Sequence, residues 1–345
     1  MTERTKGIIR AALACKVVSS LRDGLDTVRC SSASTRTGPV RRAGFATLLV
    51  ALVAFAATAR GQESSPGSGA TREAPEHGDV AEIGAKLSNP VSNIWALFTE
   101  FDLNFSNGNV NQGKSEVGGA MLFQPVMPFP LYGSGEHQWK LITRPVVPIV
   151  FSTPIPTGLN EFAYEGGLAD IELPMLLAPP TGDWLLGAGP TWLFPTSTRE
   201  DLGREQWGVG PSAVVGYKTK KVTLGVFPQY YFGFASRGDH DSHGHDASFL
   251  SMLYFVFYNL PDAWQIGSNP TISYDDRAGS GNKWNVPIGL TAAKTTFFGR
   301  LPVKFQFGIE YSVVSQDAFG QVAQLKLNVI PVMPSLVQQP ILGGE

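Results

Sequence analysis

The sequence predicts an all-β chain: a transmembrane antiparallel up-and-down β-barrel of about twelve strands, with a short N-terminal helix. Three observations carry this reading. Segments of about eleven residues recur with apolar side chains on alternate positions, the breaks between them tend to alternate between short and long, and tryptophans gather at segment starts. The stretch "WALFTEFDLNF", Trp95 to Phe105, shows the pattern most plainly: Trp95, Leu97, Phe101, Leu103 and Phe105 alternate with Glu100, Asp102 and Asn104. Successive side chains of a strand point to opposite faces, so one face here is apolar and the other carries carboxylates and an amide.

Composition agrees. The 345 residues include 38 Gly, 25 Pro and 11% aromatics but only 16% charged residues, against about 25% in an ordinary soluble domain. Residues 1–61 differ in kind. Nine Lys/Arg between Arg4 and Arg42 face three acids, and the apolar run "FATLLVALVAFAATA" follows. This reads as an N-terminal extension and a secretory signal, with Arg41 and Arg42 as n-region, Phe45 to Ala57 as h-region and Ala57-Thr58-Ala59 as cleavage site. The run is shorter than the roughly 20 residues of a spanning helix. Both cysteines, Cys15 and Cys30, fall in this part, so the exported chain has no thiol for a disulfide, thiolate metal site or nucleophile. Removing nine basic and three acidic residues from 27 and 29 leaves 18 against 26, a net of −8. That balance disfavours nucleic acid as a partner.

Residues 62–93 read as a Ser/Gly/Pro-rich leader, "QESSPGSGATREAPEHGD", and a short helix at "DVAEIGAKLSN". The barrel is expected over 94–330 and a tail over 331–345. Its strands are predicted at 95–105, 116–127, 139–149, 167–177, 184–194, 206–217, 222–234, 248–259, 264–274, 284–294, 301–313 and 321–330. Lengths near ten suit a tilted spanning strand, which needs about 9 to 11 residues. "PPTGD", "KTKK", "LPDA" and "TTFFGR" are the short connections, "PTSTREDLGRE" and "ASRGDHDSHGHDA" the long ones, and "PFPLYGSGEHQ" is too long for a tidy turn. Short turns on the periplasmic side and long loops outside are the habit of outer-membrane barrels. Trp95, Trp139, Trp184, Trp207, Trp264 and Trp284 stand where an aromatic girdle would lie, and Trp192 alone is well inside a strand. Against the reading stand Pro125, Pro145, Pro174, Pro190, Pro211, Pro228, Pro270 and Pro287, each of which removes a ladder donor.

Those proline-bearing segments also carry a resemblance. "LSNPVSNIW", "FQPVMPFPL", "WKLITRPVVPIV", "GLADIELPMLLAPP", "LLGAGPTWLFPTST", "WGVGPSAVV", "NLPDAWQIGSNPTISY" and "KWNVPIGLTAAK", in this order, resemble the bacterial outer-membrane barrel family named after the meta-pathway of phenol degradation. The resemblance covers about residues 87–330. It implies an outer-membrane protein with a transport role for small solutes. Its partners would be outer-membrane lipid, the solute, and the barrel-assembly machinery during biogenesis. The long N-terminal extension and the tail "PVMPSLVQQPILGGE" depart from the family pattern.

Strand parity places Glu100, Asp102, Asn104, Arg144, Asp170, Glu172, Lys304, Glu310, Gln324, Lys326 and Asn328 in the lumen, with Ile171, Leu173, Met175, Phe305, Phe307 and Ile309 facing lipid. "SFLSMLYFVFYN" is apolar on both faces and gives no parity. Two readings of the lumen stay open. The charged groups set selectivity at a constriction of a passive channel for apolar or aromatic solutes, or they pair with one another inside a closed structural or ligand-binding barrel. The segment Asp79 to Asn93 is itself a candidate to enter the lumen. A third possibility is a soluble periplasmic β-protein.

"GDHDSHGHD" brings His240, His243 and His245 together with Asp239, Asp241 and Asp246, a donor set that zinc or copper would accept. Its glycines Gly238 and Gly244 favour a solvated loop instead, and no cofactor or metal is expected. Catalysis is not expected either: all five histidines, including His77 and His137, lie outside strand interiors, and no nucleophile elbow, P-loop or paired CxxC occurs.

Overall fold

The computed structural model describes residues 77–237 and 247–342. The signal segment, the leader up to residue 76 and the His/Asp cluster at 238–246 lie outside the described residues. One helix, α1 (His77–Leu87), precedes fifteen strand segments. These are β1 (Trp95–Asn107), β2 (Glu116–Tyr132), β3 (Trp139–Thr143), β4 (Val147–Gly158), β5 (Glu161–Leu168), β6 (Ile171–Ala178), β7 (Trp184–Phe194) and β8 (Gln206–Lys218), followed by β9 (Val222–Ser236), β10 (Ser248–Asn259), β11 (Trp264–Ser268), β12 (Thr271–Asp275), β13 (Trp284–Phe298), β14 (Leu301–Val314) and β15 (Gly320–Met333).

Fifteen segments make twelve strands because three strands are interrupted. β3 and β4 both pair with β2 on either side of Arg144-Pro145-Val146. β5 and β6 flank Ala169-Asp170, and β11 and β12 flank Asn269-Pro270 while sharing β10 and β13 as neighbours. Every pairing is antiparallel, and β1 pairs with both β2 and β15, which closes the barrel. Closure removes the unpaired edges that an open sheet would expose.

Proline is accommodated by these irregularities. Pro145 and Pro270 sit in the interruptions, and Pro287 at the register shift beside Val286. Pro190 and Pro211 face each other on one rung of the β7–β8 ladder. Pro125, Pro174 and Pro228 remain inside ladders. The first half of the supposedly untidy "PFPLYGSGEHQ" is strand: β2 runs on to Tyr132, past the start of β1, leaving Gly133 to Gln138 as the turn. One edge of this extension has no barrel neighbour, which is where proline is tolerated. The tail, which begins after Met333 rather than after 330, pairs there, with Ile341 and Leu342 N–H donating to the carbonyls of Pro130 and Leu131 at 3.0 and 2.8 Å. β4 and β5 likewise run longer than their alternation suggests and form a hairpin that turns at Leu159-Asn160.

Alternation decides what each face meets. Val215, Phe232, Phe234, Ile288, Leu290, Phe307, Ile309 and Tyr311 point outward and are 47–63% exposed. An apolar belt on this scale, around the whole barrel, exceeds the few hundred Å² of patch that soluble monomers expose. At roughly 25 cal/mol per Å² it is stable only against hydrocarbon. Trp139, Trp184 and Trp264 mark the rim where the barrel begins and ends, here called the near rim, and Trp207 and Trp284 mark the far rim. Trp192 is outward-facing and two residues from the far end of β7, so it belongs beside Trp207 rather than in mid-belt. Trp95 departs from the girdle. It is 6% exposed, donates from Nε1 to the Pro128 carbonyl at 3.1 Å and packs edge-on against Phe129.

Candidate functional site

The inward faces enclose a chamber of about 410 Å³. Its floor comes from the residues that precede β1. α1 is short, with Ile83, Gly84 and Leu87 on one side, and Lys86 pairs with Glu82 one turn back on the other. That pair holds the Glu82 carboxyl below its ordinary range. Asn89-Pro90-Val91-Ser92 stops the helix: the Ser92 N–H returns to the Asn89 carbonyl at 3.2 Å, Pro90 supplies the fixed φ of a turn, and Asn89 Oδ1 accepts the Val91 N–H at 2.9 Å.

This short segment crosses the barrel. Ser88 Oγ lies 3.1 Å from Gln265 Oε1 and accepts from Lys304 Nζ at 2.6 Å, tying it to β11 and β14. Gly84 lies so close to Thr295 of β13 that a Cβ there would sit 2.6 Å from its hydroxyl. Val91, past the turn, packs into a cluster with Leu176, Leu185, Val214 and Phe227 on the opposite wall. Ile94 and Leu87 then close against Ala96 and Ile330 on β1 and β15. The expectation that residues 79–93 could enter the lumen therefore corresponds to a floor across the near end.

Above the floor the wall has two chemistries. On β14, β15 and β1, antiparallel register sets Glu100 opposite Asn328, Asp102 opposite Lys326 and Asn104 opposite Gln324. Lys326 Nζ lies 2.7 Å from Glu310 Oε1, with both side chains buried, and Asn328 Nδ2 donates to Glu100 Oε2 at 2.8 Å. Asp102 Oδ1 and Asn104 Oδ1 have no hydrogen-bond partner. Across the chamber, β10 turns Phe249, Ser251, Leu253, Phe255 and Phe257 inward, resolving the parity that its sequence left open. Phe98, two residues before Glu100 on the same inward face, packs against this apolar group and has the Arg144 guanidinium 5.2 Å from its ring centre.

The residues placed in the lumen by parity separate into groups. Glu100, Asp102, Arg144, Glu172, Lys304, Glu310 and Lys326 all line the chamber. Arg144 donates from Nη2 to Gln124 Oε1 at 2.6 Å, and Glu172 accepts from Tyr231 Oη at 2.8 Å. Lys304 is 1% exposed and devoted to the floor; its ammonium also stands 4.9 Å from the Phe257 ring centre. Asp170 has another place. It sits in the β5/β6 interruption, where its carboxylate accepts the Ser197 and Arg204 N–H groups at 3.1 and 2.5 Å and fixes the 195–205 loop at the far rim. Asp170 is thus buried at the far mouth and is not among the residues that line the chamber.

Two contributors were not singled out from sequence. Tyr231 is fully buried, bonded to Glu172, Thr191 and Gln229, and stacked on Phe249 at 4.6 Å. Arg204 bonds Asp275 at 2.9 Å and lies 4.0 Å from the Phe249 ring centre. The alternation in "VFPQYYFGF" would have put Phe227, Gln229 and Tyr231 on one face.

A closed twelve-stranded barrel, apolar outside, polar and chambered inside, defines the class: a membrane-spanning β-barrel. No family model and no curated protein matches the chain. Among solved structures it is similar to an outer membrane channel from Pseudomonas putida F1, with 14% identity and a TM-score of 0.53 over 71% of this chain and 98% of that one. The NanC porin aligns over 69% of this chain and 99% of its own, at 10% identity and a TM-score of 0.42. The first likeness establishes the fold.

Proposed function

We propose that the chain is an outer-membrane channel for passive passage of small solutes, apolar or aromatic ones among them; the transport role is what its resemblance to the phenol meta-pathway barrel family implies. In this reading the signal segment exports it, the barrel-assembly machinery inserts it among outer-membrane lipids, and the near rim faces the periplasm. The observation that carries the proposal is the chamber itself: a lined cavity inside a lipid-facing barrel, closed below by a segment that belongs to no strand ladder. Glu100, Asp102, Asn104, Glu310 and Lys326 set the charge preference, Arg144 and Glu172 line the passage, Lys304 holds the floor, and Asp170 holds the outer loop. No cofactor is needed, because solute diffusion down its gradient drives transport.

A closed ligand-binding barrel is the second reading, favoured by the buried Lys326–Glu310 pair and by the floor. Single-channel recording of the exported protein, beside a variant with Glu100→Gln and Asp102→Asn, separates the two. Discrete openings whose cation preference falls in the variant are expected. An inserted barrel that stays silent in both forms would sink the channel reading.

A further inference from the structure

We propose that the chamber binds a small ammonium cation carrying an aromatic body, its head at Asp102 and its ring on the shelf formed by Phe98, Phe227, Leu253 and Phe255. This deepens the channel reading by naming a solute class, but the binding it asserts does not depend on conduction.

The wall of β1, β14 and β15 is unbalanced in charge. Glu100, Asp102 and Glu310 meet one lysine on this wall, Lys326, which lies against Glu310. Lys304, the other base on the same strands, is turned into the floor. Asp102 is 8% exposed and its Oδ1 is buried with no donor, while Asn104 Oδ1, two residues on and on the same face, is also without one. Ionised carboxylate and amide oxygens accept and never donate. What this corner lacks is N–H, and an ammonium brings three such donors together with the missing positive charge.

The chemistry around the acids selects the rest of the ligand. Among the described residues no group of three His, Cys, Asp or Glu side chains is arranged to hold a metal ion, so the corner does not offer a cation a full ligand set. It does offer an apolar surface beside the charge. Phe98, Glu100 and Asp102 are successive inward residues of β1, spaced about 7 Å apart by the rise of the strand. Phe98 packs against the cluster holding Phe227 and Phe255, with Leu253 at its margin. Phe98 and Asp102 therefore stand two such steps apart, about 14 Å along the strand, a gap filled by a ring resting against Phe98, a two-carbon link to an amine, and a hydrogen bond from that amine to Asp102. The chamber's 410 Å³ lies in the range of about 300–1,000 Å³ typical of small-molecule sites. Beside Phe98, on the adjoining wall, stands the Arg144 guanidinium, which is hydrogen-bonded to Gln124, the cross-strand partner of Phe98.

Calorimetry on the full exported chain in detergent tests the proposal with 2-phenylethylammonium, 2-phenylethanol and 3-phenylpropionate. The ammonium should bind roughly tenfold or more tightly than the alcohol, as a charge-assisted contact implies, and the carboxylate more weakly than either. Asp102→Asn, which keeps the side-chain shape, should bring ammonium binding down to that of the alcohol without changing the alcohol itself. Equal binding of ammonium and alcohol by the unaltered protein would overturn the proposal, since the corner would then be satisfied by water or a proton alone. Preference for the carboxylate would overturn it in favour of Arg144. A silent channel that still binds the ammonium would leave this inference standing and remove the conduction reading.

Discussion

The two ends of the barrel are narrowed by different chemistry. At the near end, residues 84–94 lie across the lumen, held mainly by apolar contacts of Leu87, Val91 and Ile94 and by hydrogen bonds at Ser88. At the far end the 195–205 loop is pinned by charge and backbone: Asp170 accepts two N–H groups, Arg237 donates to the Pro195 and Ser197 carbonyls, and Arg204 reaches Asp275 and Phe249. Apolar contact is non-directional and can re-form after sliding, whereas each bond of the outer loop has one geometry. The near end thus rests more on contacts that can re-form, the far end on bonds of fixed geometry.

Removing the near-end segment should have the largest effect. Deletion of residues 77–93, which takes away the floor and leaves every strand, is expected to raise single-channel conductance several-fold while the protein keeps its heat-modifiable barrel migration on gels. Unchanged conductance would mean that the narrowest point lies elsewhere and would reverse the assignment of the two ends.

The next effect belongs to the fixed end. Asp170→Ala strands two backbone donors, each costing about 1–3 kcal/mol if left unsatisfied. The loop, not the barrel, should feel it. Faster amide exchange at Ser197 and Arg204, and a new protease-sensitive site within 195–205, are expected with the β-sheet signal of the barrel unchanged. A global loss of stability would show that the loop is part of the barrel's core.

How far sequence carried this picture differs between the same two ends. The strands were legible because a membrane barrel imposes period-two alternation over its whole length, and "WALFTEFDLNF" obeys it without exception from Phe101 onward. Glu100, Asp102, Lys326 and Glu310 could be placed inside for that reason alone. Parity says nothing of what a side chain does at an interruption, so nothing in the alternation marked Asp170, between β5 and β6, as the residue that holds the 195–205 loop. It is also silent where both faces are apolar, as on β10, whose inward Leu253, Phe255 and Phe257 look no different in sequence from its outward Val256 and Tyr258. The floor was harder still. Ile83, Gly84 and Leu87 are an ordinary amphipathic set, and what makes them a floor is a lysine more than 200 positions later, Lys304, which sequence marks only as another inward charge.

Lys304 gives a smaller and two-sided effect. A buried ammonium whose hydrogen-bond partners among the described residues are neutral, Ser88 Oγ at 2.6 Å and the Gly84 carbonyl at 3.5 Å, is costly to the folded barrel and favourable to the floor. Lys304→Met keeps the length and removes the charge. The barrel should melt at the same temperature or higher, while the floor loses a charge-assisted bond of about 1.5–3 kcal/mol; if the proposed channel reading holds, openings in single-channel recordings should become longer. Lower melting with unchanged gating would instead make Lys304 a support of the wall.

The smallest effect should come from Arg204, which touches the fixed end through two interactions of different kinds. Its bond to Asp275 depends on charge, and its position over Phe249 depends on the planar guanidinium as well. Arg204→Lys keeps the first and weakens the second. With the side chain 38% exposed, the loss should be no more than about 0.5–1 kcal/mol. The stack continues from Phe249 to Tyr231, and Tyr231 donates to Glu172 in the chamber wall. A change in the near-ultraviolet signal of these rings with no change in ammonium binding would confine Arg204 to the mouth. If the substitution altered binding as well, the stack would connect the mouth to the chamber and the two ends would no longer be independent.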